Sequence, residues 1–200
     1  MRTLCLACGT LVLSALSLTA HATPISFTET VTGSGSLGSS FSSKLVTISG
    51  TGDTSNVTLF SPGIYILSLN SVTVQVGAGP VATFTAGIDA FDNQNFSVVG
   101  FSQVAPAAGD ILDASGVPAF ATYALNGSIT GTGNTTINSG DLFPTSAGNF
   151  EFTSIDSVTT FTANLAPVAT PEPSSLLLLG TGLLGLAEAA RRKYRGAHIL

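Results

Sequence analysis

Residues 25–32 read ISFTETVT. Ile25, Phe27 and Val31 fall on one side of an extended chain, and Ser26, Thr28, Thr30 and Thr32 on the other. Side chains of a strand alternate between faces, so this stretch is a half-buried strand with a hydroxyl-bearing outer face. The same period recurs in SVTVQV (71–76), with Val72, Val74 and Val76 set against Thr73 and Gln75. LVTIS (45–49), NVTLF (56–60), GIYILSL (63–69), ATFTAGI (82–88), FSVVGF (96–101), FATYAL (120–125) and VTTFTANL (158–165) are further strands on the same reasoning. Asn126-Gly127, which tolerates the positive φ of a tight turn, predicts a hairpin joining FATYAL to SITGTG. No sustained 3.6-residue apolar pattern is present between residues 23 and 165. The expected fold class is all-β, an antiparallel β-sandwich or jelly-roll-like body. Phe27, Phe84, Phe101, Phe120, Phe152 and Phe161 are the expected core.

Composition narrows the chemistry. The 200-residue chain carries a formal charge of −5. Within 23–165 the acids are Glu29, Asp53, Asp89, Asp92, Asp110, Asp113, Asp141, Glu151 and Asp156, and Lys44 is the one basic residue. A body this acidic cannot neutralise a phosphate backbone, so no nucleic-acid partner is expected. It also has no His, Cys or Arg. A Ser-His-Asp or Cys-His nucleophile and a Cys/His zinc centre are therefore excluded within it, and no catalytic residues are expected. Two carboxylates could serve a glycosidase, but Tyr65 and Tyr123 are the only ring donors beside phenylalanine, and there is no Trp.

Asp89, Asp92, Asn93 and Asn95 form the densest oxygen-ligand cluster. Ca²⁺ takes such ligands, although the spacing matches no EF-hand and a solvated turn is the competing reading. No other metal or cofactor is expected. The Thr-x-Thr repeats at Thr28–Thr32, Thr83–Thr85, Thr130–Thr132 and Thr160–Thr162 are irregularly spaced along the chain. They read as outward-facing strand residues and not as the flat array that an ice-binding surface requires.

The two ends differ from the body. Arg2, an apolar run from Leu4 to Leu18, and Ala20-His21-Ala22 form a signal peptide over 1–22 with cleavage after Ala22, so a secretion translocon and a signal peptidase are expected partners. Both cysteines, Cys5 and Cys8, would leave with it. The body spans 23–165. A proline-rich linker follows over 166–173, then a single transmembrane helix over 174–190, and then a basic cytoplasmic tail over 191–200. A helix of about 17 residues is about 25 Å long at 1.5 Å per residue, a short span. Arg191, Arg192, Lys193 and Arg195 set its orientation by the positive-inside rule. Glu188 lies one turn away from them and can pair with Arg191 or Arg192.

Pro171-Glu172-Pro173, a glycine-interrupted leucine run and an arginine-rich end, in that order, resemble the PEP-CTERM sorting signal of Gram-negative bacteria. The resemblance covers about 25 residues and departs from the pattern at Glu188 and in the extension 196–200. It implies an exosortase-like membrane protease-transpeptidase as partner, which processes the chain near the Pro-Glu-Pro and releases or transfers it. It also implies export across the inner membrane, a membrane-held precursor, and a final place in the envelope or outside the cell. Association with extracellular polysaccharide and biofilm follows from the same resemblance. The expected role is a non-enzymatic surface or matrix protein; the alternative is a lectin-like module binding carbohydrate or calcium.

Overall fold

The computed structural model describes residues 23–104, 109–167 and 173–196, with side chains in the last stretch described at 179–188 and 190–192. The signal-peptide segment 1–22 and the positions Pro171 and Glu172 lie outside the described residues. The chain divides into two units between Ala166 and Pro167.

The first unit is all-β, as its alternation predicts. Its strands are β1 (Pro24–Leu37), β2 (Ser39–Asp53), β3 (Thr58–Ser61), β4 (Ile64–Ser68), β5 (Ser71–Val76), β6 (Val81–Thr83), β7 (Ile88–Asn93), β8 (Val98–Gln103), β9 (Gly109–Ser115), β10 (Ile129–Thr136), β11 (Phe143–Thr145), β12 (Gly148–Ile155) and β13 (Val158–Leu165). The expected two-sheet sandwich is not what forms. All thirteen strands join one antiparallel sheet, in the order β3-β4-β7-β8-β9-β10-β13-β1-β2-β5-β6, with β12 paired to β1 and β11. The sheet buries its apolar face by curling.

The length of β1 and β2 makes this possible. The first half of β1 pairs with β13 from Ile25↔Leu165 to Thr30↔Thr160. Its second half pairs with β12 from Gly33↔Ile155 to Leu37↔Phe150. The turn between β12 and β13 lies beside the changeover, where the Asp156 amide donates to the Thr32 carbonyl. Gly35 sits at the bulge in this pairing, and a Cβ there would fall 1.9 Å from the Glu151 carbonyl oxygen. Only glycine permits that approach of two backbones. Beyond β6, Phe84 bridges Thr145, the Ser146 amide donates to the Thr83 carbonyl at 2.8 Å, and the Thr85 amide to the Pro144 carbonyl at 2.9 Å. Thus β1, β2, β5, β6, β11 and β12 close a ring. On the other side Leu67 of β4 packs over Gly52 of β2, where an added Cβ would lie 2.9 Å from Leu67 Cδ2.

All six expected core phenylalanines are buried. Phe161 stands at the centre of one cluster, with ring centroids 6.0 Å from Phe27, 5.9 Å from Phe120 and 6.4 Å from Tyr123. Phe84, Phe150 and Phe152 line the closed ring, the last two 4.8 Å apart.

Two local expectations are corrected. FATYAL is not a strand, and Asn126-Gly127 does not close a hairpin. Pro118–Thr122 forms a 3-10 turn that carries Phe120 onto Phe161. Proline fixes φ and has no N–H for a ladder, and Leu125 takes a φ of 55° that ends extended structure. The Tyr123 hydroxyl donates to the Gly127 carbonyl and the Gln94 side-chain amide donates to the Tyr123 carbonyl, holding the segment as a plug. The second correction concerns 89–95, where a solvated polar turn was the competing reading of the oxygen-ligand cluster: 89–93 belong to strand β7.

Among the described residues the second unit contains one helix, α1 (Pro173–Gly196). It starts where the prolines predict and runs past the expected end at residue 190, so Arg191, Arg192, Lys193 and Arg195 are helical. Among the described residues no helix is long and apolar enough to cross a membrane. Gly180, Thr181, Gly182 and Gly185 interrupt the leucines and Glu188 brings a charge into the segment. Glu188 meets both expected partners, 3.7 Å from Arg191 and 3.3 Å from Arg192.

Candidate functional sites

The four residues expected to offer oxygen ligands are not brought together. Strand alternation sends Asp92 into the core, whereas Asp89 and Asn93 are only partly buried. Asp89 accepts a hydrogen bond from the Ser68 hydroxyl at 2.7 Å. The Asn95 side-chain amide donates to the Pro62 carbonyl, tying the turn between β7 and β8 to the one between β3 and β4. Among the described residues no group of three or more His, Cys, Asp or Glu side chains is placed to hold a metal ion.

Three other placements of acids matter more. Glu29 lies in the inward row of β1 between Phe27 and Val31, in register with Phe161 and Ile48. It is 0% exposed, and neither carboxylate oxygen has a hydrogen-bond partner. Burial pushes its carboxyl well above the usual range, and the charge of Asp113 adds to the effect. Asp113 of β9 is 5% exposed, with Oδ1 unpartnered, and lies across from Gly100 of β8. Burial, helped by Asp110, pushes it up to about 8. Asp92 is fully buried with both oxygens unpartnered, and burial raises it to about 7. It lies close enough to Tyr123 to help push that phenol upward. No ion pair among the described residues reaches these acids, so their surroundings favour the neutral carboxylic acid in each. Such groups can take up or release protons when the fold opens. Sealed from solvent, they cannot meet a substrate. Alternation alone could have found Glu29, because every second residue from Ile25 points inward.

The outer face of the same strands carries the feature that sequence spacing concealed. The Thr-x-Thr repeats are irregular along the chain but aligned across the sheet. One row runs Thr132, Thr160, Thr30, Thr47, Gln75 through β10, β13, β1, β2 and β5. The next runs Thr130, Thr162, Thr28, Ser49, Thr73, Thr83 and reaches β6. A third has Asn164, Ser26, Thr51 and Ser71. None of these residues is buried, and none is charged. Neighbours interlock: Thr132 and Thr160 hydroxyls are 2.8 Å apart, Thr28 and Ser49 3.3 Å. Strand geometry spaces such groups about 4.8 Å across the sheet and about 6.8 Å along it.

The tail presents a different surface. Leu179, Leu183, Leu184 and Leu186 of α1 are 50–73% exposed, and a Cβ added at Gly180, Gly182 or Gly185 would meet nothing within 4 Å. Arg191 and Arg192 are exposed as well. Pro173 is the first residue of α1, so the chain enters the helix directly from the Pro-Glu-Pro. An apolar helix ending in cations suits a membrane interface.

No curated protein and no solved structure matches the chain. Residues 169–193 match the family model of the PEP-CTERM protein-sorting motif, which takes in the proline pair, the leucine run and the start of the basic cluster. The chain carries a PEP-CTERM protein-sorting motif, the signal of an exported protein sorted by an exosortase.

Proposed function

We propose that this is a non-enzymatic envelope protein of a Gram-negative bacterium. Its tail delivers it to an exosortase near Pro171-Glu172-Pro173, and its β body then associates with extracellular polysaccharide. The single observation behind the second half is the charge-free hydroxyl face across β10, β13, β1, β2, β5 and β6. A neutral polyhydroxylated chain can exchange hydrogen bonds with aligned Thr and Ser hydroxyls without desolvating an ion. The buried acids fit a passive body, because their oxygens face the interior.

The test is intact mass of the mature protein from its native host, with co-sedimentation on host polysaccharide. A product starting at Thr23 and ending near Pro171, retained by the polymer, supports the reading. Replacing Pro171-Glu172-Pro173 by three alanines should trap the longer form; normal release of that variant refutes exosortase sorting. Thr130→Ala/Thr132→Ala/Thr162→Ala should abolish retention, and unchanged retention refutes the face as the contact.

A further inference from the structure

The closed ring β1-β2-β5-β6-β11-β12 has an open end where three turns converge. These are the turn at Gly38 between β1 and β2, residues 77–80 between β5 and β6, and residues 146–147 between β11 and β12. They surround a cleft of about 420 Å³, within the range of about 300–1,000 Å³ typical of small-ligand sites. Its walls are mostly apolar: Leu37, Phe41, Val76, Ala78, Pro80 and Ala147. Two turns are locked together by glycines. Gly38 has a φ of 67° and a Cβ there would fall 2.4 Å from the Ala147 carbonyl oxygen, while one on Gly148 would fall 3.3 Å from Gly38 Cα. The wall is thus built from backbone contact and is preformed.

Lys44 is the one basic residue of a body with nine acids, and it lines this cleft. It is exposed, and no ion pair among the described residues includes it. Its aliphatic stem lies along Gly77, with Cδ 3.9 Å from where a Cβ of that glycine would stand. The cleft therefore offers apolar walls and one unpaired ammonium.

We propose that this mouth binds a small amphipathic monocarboxylate, its apolar part between Phe41 and Pro80 and its carboxylate on Lys44 Nζ. Charge complementarity selects the sign of the ligand: the site supplies a cation and no carboxylate. The proposal is independent of the polysaccharide reading, which concerns the outer face of the sheet.

The test uses the full chain near neutral pH with octanoate, and with octylammonium as the charge-reversed probe, followed by NMR titration. Octanoate should bind saturably and octylammonium should not. Lys44→Met keeps the stem and removes the charge; it should weaken octanoate binding about tenfold or more, as loss of a charge-assisted hydrogen bond implies, with unchanged circular dichroism. Ala78→Trp, which fills the exposed turn without touching the ring interior, should abolish binding. Equal binding of the two probes, wild-type affinity in Lys44→Met, or saturable octanoate binding that survives Ala78→Trp would each overturn the proposal, as would absence of saturable binding by the wild-type chain.

Discussion

Replacing Asp113 by Asn tests the idea that the β body is held together around neutral carboxylic acids. In the unfolded chain this group releases its proton near its ordinary value of 3.8; in the fold it does so at about 8. Between those values the unfolded state binds fewer protons than the folded one, so stability falls as pH rises. The loss is fully developed above the folded value and absent below the unfolded one. One such group contributes a slope of about 1.4 kcal/mol per pH unit. Across the window of roughly four units, that is on the order of 6 kcal/mol, comparable with the whole stability of many domains. Asp92 acts in the same direction from 3.8 to about 7, and Glu29 does likewise from 4.5 upward. Both therefore steepen the wild-type loss of stability between pH 5 and 6.5. Asn mimics the shape of the neutral acid and has no proton to lose. Asp113→Asn should therefore be close to wild type at pH 4 and more stable by several kcal/mol at pH 7.5, with a shallower slope at pH 5–6.5. Urea unfolding at half-unit pH intervals measures this. Equal slopes for the two proteins, or a wild-type stability that rises over this window, would refute the reasoning.

Two further substitutions probe the fold. Gly35→Ala places a methyl against the Glu151 carbonyl at the β1–β12 bulge, and should cost more than about 3 kcal/mol or prevent folding, read as a loss of soluble yield or a large fall in Tm; a Tm within a few degrees of wild type would mean that the two backbones do not meet there. Phe161→Ala removes the ring shared by Phe27, Phe120 and Tyr123 and should cost about 3–5 kcal/mol in denaturant unfolding; a smaller loss than that of an exposed Phe60→Ala would contradict its central place.

Alternating residues in 25–32, 71–76 and 158–165 were enough to establish an all-β body, because a period of two leaves one face dry whatever the partners are. The C-terminal sorting motif was legible for a related reason: a proline pair, an apolar run and an arginine cluster are local signals read along the chain. The helix boundary was less so, since nothing local stops α1 before Gly196. Sequence could not decide how many sheets form. That depends on β1 and β2 being long enough to exchange β13 for β12, and on Gly35 allowing the close approach. Nor could it tell that 120–125 plugs the core, because Phe120 and Tyr123 are as apolar in a turn as in a strand. The rows of threonine on separate strands became one surface only through register, which pairs Thr30 with Thr160 and Thr160 with Thr132. Likewise Lys44 gains its setting from turns far apart in the chain. Period and composition fix what each segment can bury; only the pairing of distant strands fixes which side chains share a surface.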